Sequence, residues 1–232
     1  MTEQLIITGI GTDVGKTVVS SIIVKALDAT YWKPIQAGDL DNSDTIKVKN
    51  LTFTDKIIPE IFQLNSPMSP HAAARIDGVE ITLEDINLPQ IEDNLVIEGA
   101  GGVYVPINDH GLTYLDVFKK LKLPVIIVSR HYLGSINHSL LTINALKSSG
   151  LEIKGIVFVG DENLETERII TSISGCSFIC RIPIAKELNN SFIAEEAKKF
   201  KVAYERINKE RYLLCLASIH TAFYRRRTFA NC

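Results

Sequence analysis

Leu5-Ile6-Ile7-Thr8-Gly9-Ile10-Gly11-Thr12-Asp13-Val14-Gly15-Lys16-Thr17 is the stretch whose reading decides the fold. The apolar run Leu5–Ile7 reads as a short buried strand, the glycines as a tight turn, and Gly15 as the start of a helix. A helix N-terminus turns backbone N–H groups toward an anion, and Lys16 adds a full positive charge beside them. Thr17 offers a hydroxyl to a magnesium ion that the same phosphates hold. The spacing is a close variant of the nucleotide-binding pattern G-x-x-x-x-G-K-[ST]. The first glycine should fall at position 10, where Ile10 stands between Gly9 and Gly11. Glycines serving packing alone would explain a turn, but not Gly-Lys-Thr set directly after a strand.

The 232 residues around this loop suit one α/β domain, expected over 1–210, with 211–232 as a C-terminal tail. Hydrophobic residues make up 46% and charged residues 22%, enough apolar mass for a large core. A net charge of −2 gives no global attraction to nucleic acid or to an anionic membrane. Met1–Gln4 has no basic leader and no cleavage site, and the apolar runs fall short of a membrane span. The expectation is therefore a cytoplasmic protein with no nucleic-acid or membrane partner. Cys176, Cys180, Cys215 and Cys232 form no paired C-x-x-C units and read as reduced thiols.

Strands and helices alternate along the chain. Val19, Ile22, Ile23 and Ala26 mark one face of a helix over Val18–Leu27. Tyr31-Trp32-Lys33 is a short strand that Pro34 must break, which leaves Lys33 at a strand terminus. Open parallel sheets bind ligands outside the carboxyl ends of their strands, and the phosphate loop opens on that same side. The polar run Asp39–Asp44 precedes a helix over Thr45–Leu51. Its Ser43 or Asp44 is suited to cap that helix, and its carboxylates to reach a phosphate-bound magnesium. Ile57–Leu64 reads as extended, Ser66–Pro70 as a loop, and Thr82-Leu83-Glu84-Asp85 as a helix start cut short by Pro89.

Asn94–Ile97 repeats the opening theme, a buried strand with an acid at its end, Glu98, and a glycine-rich turn, Gly99-Ala100-Gly101-Gly102. P-loop enzymes hold magnesium with an acid so placed, and the glycines let backbone approach a ligand. Beyond it come a helix over Thr113–Lys122 and a buried strand over Leu123–Ser129. A helix entered through Leu133-Gly134-Ser135-Ile136-Asn137 follows, its N-terminus suited to a carboxylate. Ile153–Val159 and Phe178–Ile182 read as strands, Glu165–Ile173 and Phe192–Phe200 as helices. This alternation predicts a mostly parallel sheet with helices on both faces. From Tyr212 the tail is apolar up to Arg225-Arg226-Arg227, three arginines too few to make a nucleic-acid site.

Five stretches together resemble the dethiobiotin synthetase family. They are Gly11–Thr17, Lys33-Pro34-Ile35-Gln36, Ser69-Pro70-His71-Ala72-Ala73, Glu98–Gly102 and Leu133–His138, and the similarity runs from about Leu5 to Phe200. The resemblance implies a P-loop fold and an enzyme that uses MgATP to join 7,8-diaminononanoate and CO2 into dethiobiotin, in biotin synthesis. It implies that Lys33, with Lys16, stabilises a carbamate and the transferring phosphoryl group. Thr17, Asp44 and Glu98 would hold magnesium. Asp13, Val14, Gly15, Lys16, Thr17 and Val18, with Glu98, Gly99, Ala100 and Gly101, would line the phosphates. Val159, Gly160, Pro183, Ile184 and Ala185 would surround the base. Ala37 would face the substrate, whose far carboxylate would meet Leu133, Gly134, Ser135, Ile136 and Asn137 of a partner subunit, so a homodimer is implied.

The chain departs from this family at Ala37, where relatives carry Ser or Thr, and at Val159, where they place Asn toward the adenine edge. Asn190 stands where some relatives have an acid. Two other readings stay open. A partner-regulated P-loop ATPase of the chromosome-partitioning type shares such a fold but carries a further lysine early in the loop, where this chain has Ile10, Gly11 and Thr12. A relative that binds nucleotide without catalysis would not need Lys33, Asp44 and Glu98.

Overall fold

The computed structural model describes residues 2–228, with side chains described through residue 213. In order, the chain forms β1 (Gln4–Gly9), α1 (Lys16–Leu27), β2 (Thr30–Trp32), β3 (Ile35–Ala37), α2 (Asp44–Thr52), β4 (Ile57–Ile58), β5 (Phe62–Leu64) and α3 (Pro70–Asp77). It continues through β6 (Leu95–Glu98), α4 (Tyr114–Leu121), β7 (Val125–Arg130), α5 (Ser135–Ser148), β8 (Ile153–Val159), α6 (Leu164–Ser174), β9 (Phe178–Ile182) and α7 (Asn190–Thr228). Seven strands make one sheet in the order β4-β2-β6-β1-β7-β8-β9, and every pairing in it is parallel.

Helices cover both faces, α1 packing on α2 and α7 while α5 packs on α6. Strands buried on both faces need unbroken apolar runs, and Ile6, Ile7, Val96, Ile126–Val128 and Ile156–Phe158 are all fully buried. The sheet therefore follows from the hydrophobic runs. Pairing order does not. β6 enters between β1 and β2 although about sixty residues separate it from β2, and there both its edges are paired and all four of its residues are buried.

The structure refines two local expectations. The segment Ile57–Leu64 is extended, but it splits between sheets: β4 extends the main sheet beside β2, while β5 pairs with β3 in a separate two-stranded sheet. Pro34 is the cause. It ends β2, and its carbonyl accepts from the N–H groups of Ile61 and Phe62, at 2.9 and 3.1 Å, as the chain turns into the second sheet. At Thr82 no helix forms among the described residues. Thr82 N and Oγ1 donate to Asp85 Oδ2 at 3.0 and 2.7 Å, yet only a turn over 83–85 forms ahead of Pro89. Helix α7 runs without a break from Asn190 to Thr228, through the start of the expected tail.

Cys176 and Cys180 are free thiols, and burial pushes the Cys180 thiol up to about 12. Cys215 and Arg225–Arg227 lie outside the described side chains and Cys232 outside the described residues. No helix among the described residues is long and apolar enough to cross a membrane.

Candidate active site

Strand register builds the site. In the β2–β6 pair Trp32 lies opposite Ile97, so Lys33, just past the end of β2, stands beside Glu98, the last residue of β6. In the β6–β1 pair Glu98 lies opposite Ile7, two residues before the phosphate loop begins. Three adjacent strand ends thus deliver a lysine, an acid and the loop to one rim of the sheet. The loop itself needs its glycines: Gly15 sits at φ 93° as the N-cap of α1, and a Cβ at Gly9 would come within 2.6 Å of Val14 Cγ2.

Helix α2 brings the second acid. Ser43 caps it, accepting from Ile46 N at 3.3 Å, and Asp44 opens its first turn, where a carboxylate is favoured by the helix dipole. Thr17 Oγ1 lies 2.9 Å from Asp44 Oδ1 and 3.0 Å from Glu98 Oε1. Lys33 Nζ donates to Asp44 Oδ2 and stands 3.7 Å from Glu98 Oε1. Tyr31 OH donates to the other oxygen of Glu98, Oε2, at 3.0 Å. Lys16 Nζ donates to the Gly11 carbonyl at 2.9 Å.

The electrostatics are those of a buried charged cluster, since Lys16, Lys33 and Glu98 are all buried. Burial lowers the Lys16 ammonium below its ordinary value, against the pull of Glu98 and with the push of Lys33. Burial alone would raise the Asp44 carboxyl; the charge and hydrogen bond of Lys33, with the Thr17 hydroxyl, outweigh it and hold the group below the usual carboxylate range. Burial first, and the Glu98 charge second, push the Tyr31 hydroxyl well above its ordinary value, so it remains a donor. Three hard oxygen donors on one spot suit a magnesium-sized cation, and the two carboxylates suit its charge.

Lys16, Thr17, Lys33, Asp44 and Glu98 border an open cavity of about 750 Å³ that Pro67–Pro70 also line. Asp13, Gly15, Lys16, Thr17, Val18, Lys33, Ala37, Asp44, Glu98, Ala100 and Gly101 all reach it. A second cavity of about 200 Å³ adjoins it at Asp13, Gly15 and Val18, and takes in Val159, Pro183, Ile184 and Ala185. Val14, Gly99 and Gly160 border neither cavity: Val14 is buried in the core, and a Cβ at Gly99 would come within 2.8 Å of the Phe118 ring. Leu133, Gly134, Ser135, Ile136 and Asn137 border neither as well, and Leu133 is fully exposed at the start of α5. Asn190 does not border the smaller cavity; its Nδ2 donates to the Leu51 carbonyl at 2.8 Å, at the end of α2.

Sequence reasoning missed three residues here. Tyr31 was hidden because a tyrosine in a strand reads as core. Lys47, 3.8 Å from Asp44 Oδ1, belongs to no motif in the sequence. Arg130, whose guanidinium donates to the Asp13 carbonyl at 3.1 Å and borders the smaller cavity, closes β7 as Lys33 follows β2. The rule that flagged Lys33, a basic residue at the carboxyl end of a strand, would have flagged it too.

Known proteins place this geometry. Solved structures of similar fold include the MinC:MinD cell division complex of Aquifex aeolicus, at TM-score 0.55 and 15% identity over 90% of this chain and 96% of that one. A putative plasmid partition protein of Borrelia burgdorferi bound to AMPPNP matches at TM-score 0.54 and 12% identity, over 91% of this chain and 100% of that one. At such identities the likeness is one of fold. A family model described as AAA domain matches residues 3–191.

Sequence relatives discriminate further. ATP-dependent dethiobiotin synthetase BioD of Christiangramia forsetii is 50% identical over 203 residues, 87% of this chain and 97% of that protein. The enzyme of the same name from Afipia carboxidovorans is 48% identical over 79% of this chain and 88% of its own length. Half-identity over nearly the whole length of a relative, on a P-loop fold with a lysine and two acids gathered at the loop, leaves one assignment: this chain belongs to the ATP-dependent dethiobiotin synthetase family.

Proposed function

We propose that this enzyme forms dethiobiotin from 7,8-diaminononanoate, CO2 and MgATP, releasing ADP and phosphate. The observation that carries the reading is the placement of Lys33 Nζ between Asp44 and Glu98 at the mouth of the phosphate loop. An amine of the substrate takes up CO2 and becomes a carbamate, a weak anionic nucleophile. Its attack on the γ-phosphoryl group needs alignment and charge neutralisation more than it needs proton transfer. Lys33 and Lys16 border the same cavity and would supply two positive charges to that transfer. The resulting carbamic-phosphoric anhydride loses phosphate when the second amine attacks its carbonyl carbon and closes the ring.

Thr17, Asp44 and Glu98 are the residues that would hold magnesium, by their three converging oxygens. Bound there, the ion would neutralise charge on the β- and γ-phosphates. Ala37 borders the cavity without a hydroxyl, so the substrate gains no hydrogen bond at that point. The exposed apolar start of α5 supports a homodimer in which Leu133–Asn137 complete the partner's site, the helix N-terminus facing the substrate carboxylate. The test is phosphate release with MgATP and bicarbonate, with and without the diamine. Release that requires the diamine is expected; release indifferent to it would favour a switch ATPase, and none at all a protein that only binds nucleotide.

A further inference from the structure

The smaller cavity, beside Gly15, has a composition that decides how a base is read. Its side-chain walls are apolar: Val18 and Val19 from α1, Val159 from the end of β8, Ile182 from the end of β9, and Ile184 and Leu188 beyond it. The backbone groups at the ends of β8 and β9 are engaged. The Val159 carbonyl accepts from His131 N at 3.0 Å, the Ile182 carbonyl accepts from Gly160 N at 3.0 Å, and Pro183 has no N–H to give. Asp13 and Arg130 are the polar side chains at the cavity's border. Arg130 is tied by its donation to the Asp13 carbonyl, at 3.1 Å, which holds its planar guanidinium at the rim. A guanidinium plane stacks on any aromatic base, purine or pyrimidine.

We propose that this pocket holds the nucleobase by stacking and apolar contact without reading its edge, so that the enzyme uses nucleoside triphosphates of either base class in place of ATP. The proposal rests on the adjoining cavity being the phosphate site, as argued above. Its physical basis is that strong discrimination comes from polar groups left unpaired by the wrong ligand, and an apolar pocket rejects an isostere weakly. Arg130 then contributes to affinity for every base, and Val159 is the position at which selectivity is absent.

The experiment measures diamine-dependent phosphate release with ATP, GTP, CTP and UTP in turn. The four kcat/KM values are expected to fall within about tenfold of one another. An ATP preference above about tenfold would overturn the proposal and would point to the N–H groups of Ile184 and Ala185 as edge readers. Competition of the four nucleoside diphosphates against a fluorescent nucleotide reads the same ratio without turnover. A flat ratio there with no turnover would strike the catalytic reading and uphold this one; absence of all nucleotide binding would overturn both. In Arg130→Ala, KM is expected to rise several-fold for all four nucleotides alike, and a rise confined to one would overturn the stacking role.

Discussion

The buried hydroxyl of Tyr31 donates to Glu98 Oε2 at 3.0 Å, so the fully buried carboxylate turns its other oxygen toward Thr17, 3.0 Å away. Tyr31 is thus a positioning residue for the acid. In Tyr31→Phe the ring still fills its space, but Glu98 Oε2 loses its donor in a dry environment. A hydrogen bond to a charged group is worth about 1.5–3 kcal/mol. We expect urea unfolding to show a loss of that order, and half-maximal activity to require several-fold more magnesium. A variant unchanged in both measurements would leave Tyr31 as plain core.

Lys33→Ala removes the cation nearest both acids. Loss of one preorganised electrostatic group at a transferring centre lowers kcat by about 10²–10³. Nucleotide affinity should change little, because the loop and Lys16 remain. Isothermal titration with ADP alongside turnover separates the two effects, and a fully active variant would refute the assigned role.

Asp44 links stability to pH. Its folded-state pKa lies below the unfolded value of about 3.9, so its contribution is complete above that value and disappears as pH falls through the folded pKa. Unfolding free energies of the protein and of Asp44→Asn should therefore differ at pH 6 and converge below about pH 4. A gap that widens on acidification would contradict the pairing with Lys33.

The exposed Leu133 tests assembly. If the start of α5 completes a neighbouring subunit's site, Leu133→Asp should shift the protein from dimer to monomer in sedimentation velocity. The KM for the diamine should rise on the order of tenfold, the loss of a contact worth about 1.4 kcal/mol. A dimer that persists with an unaltered KM would remove this segment from the site.

Much of this molecule was legible before any coordinates. The alternation of strands and helices, the phosphate loop, and Lys33 at a strand end broken by Pro34 all follow from local rules: apolar runs bury, glycine turns, proline interrupts a ladder. The acid at the end of β6 was visible for the same reason. What stayed hidden involved partners far apart in the chain. Nothing in the run Ile57–Leu64 says that its two halves join different sheets, and nothing in Tyr31 says that its hydroxyl meets an acid 67 residues away.

By itself, the sequence determined the chemistry on offer: a phosphate-binding turn, two lysines, two acids and a hydroxyl, each attached to an element whose end it marks. Tertiary structure alone decided that β2, β6 and β1 stand as neighbours, so that Lys33, Glu98 and the loop share one rim while Arg130 reaches over the Asp13 carbonyl. The physical reason is that strand pairing in a parallel sheet is chosen by which order buries every apolar face at once, a property of the whole chain and of no single segment.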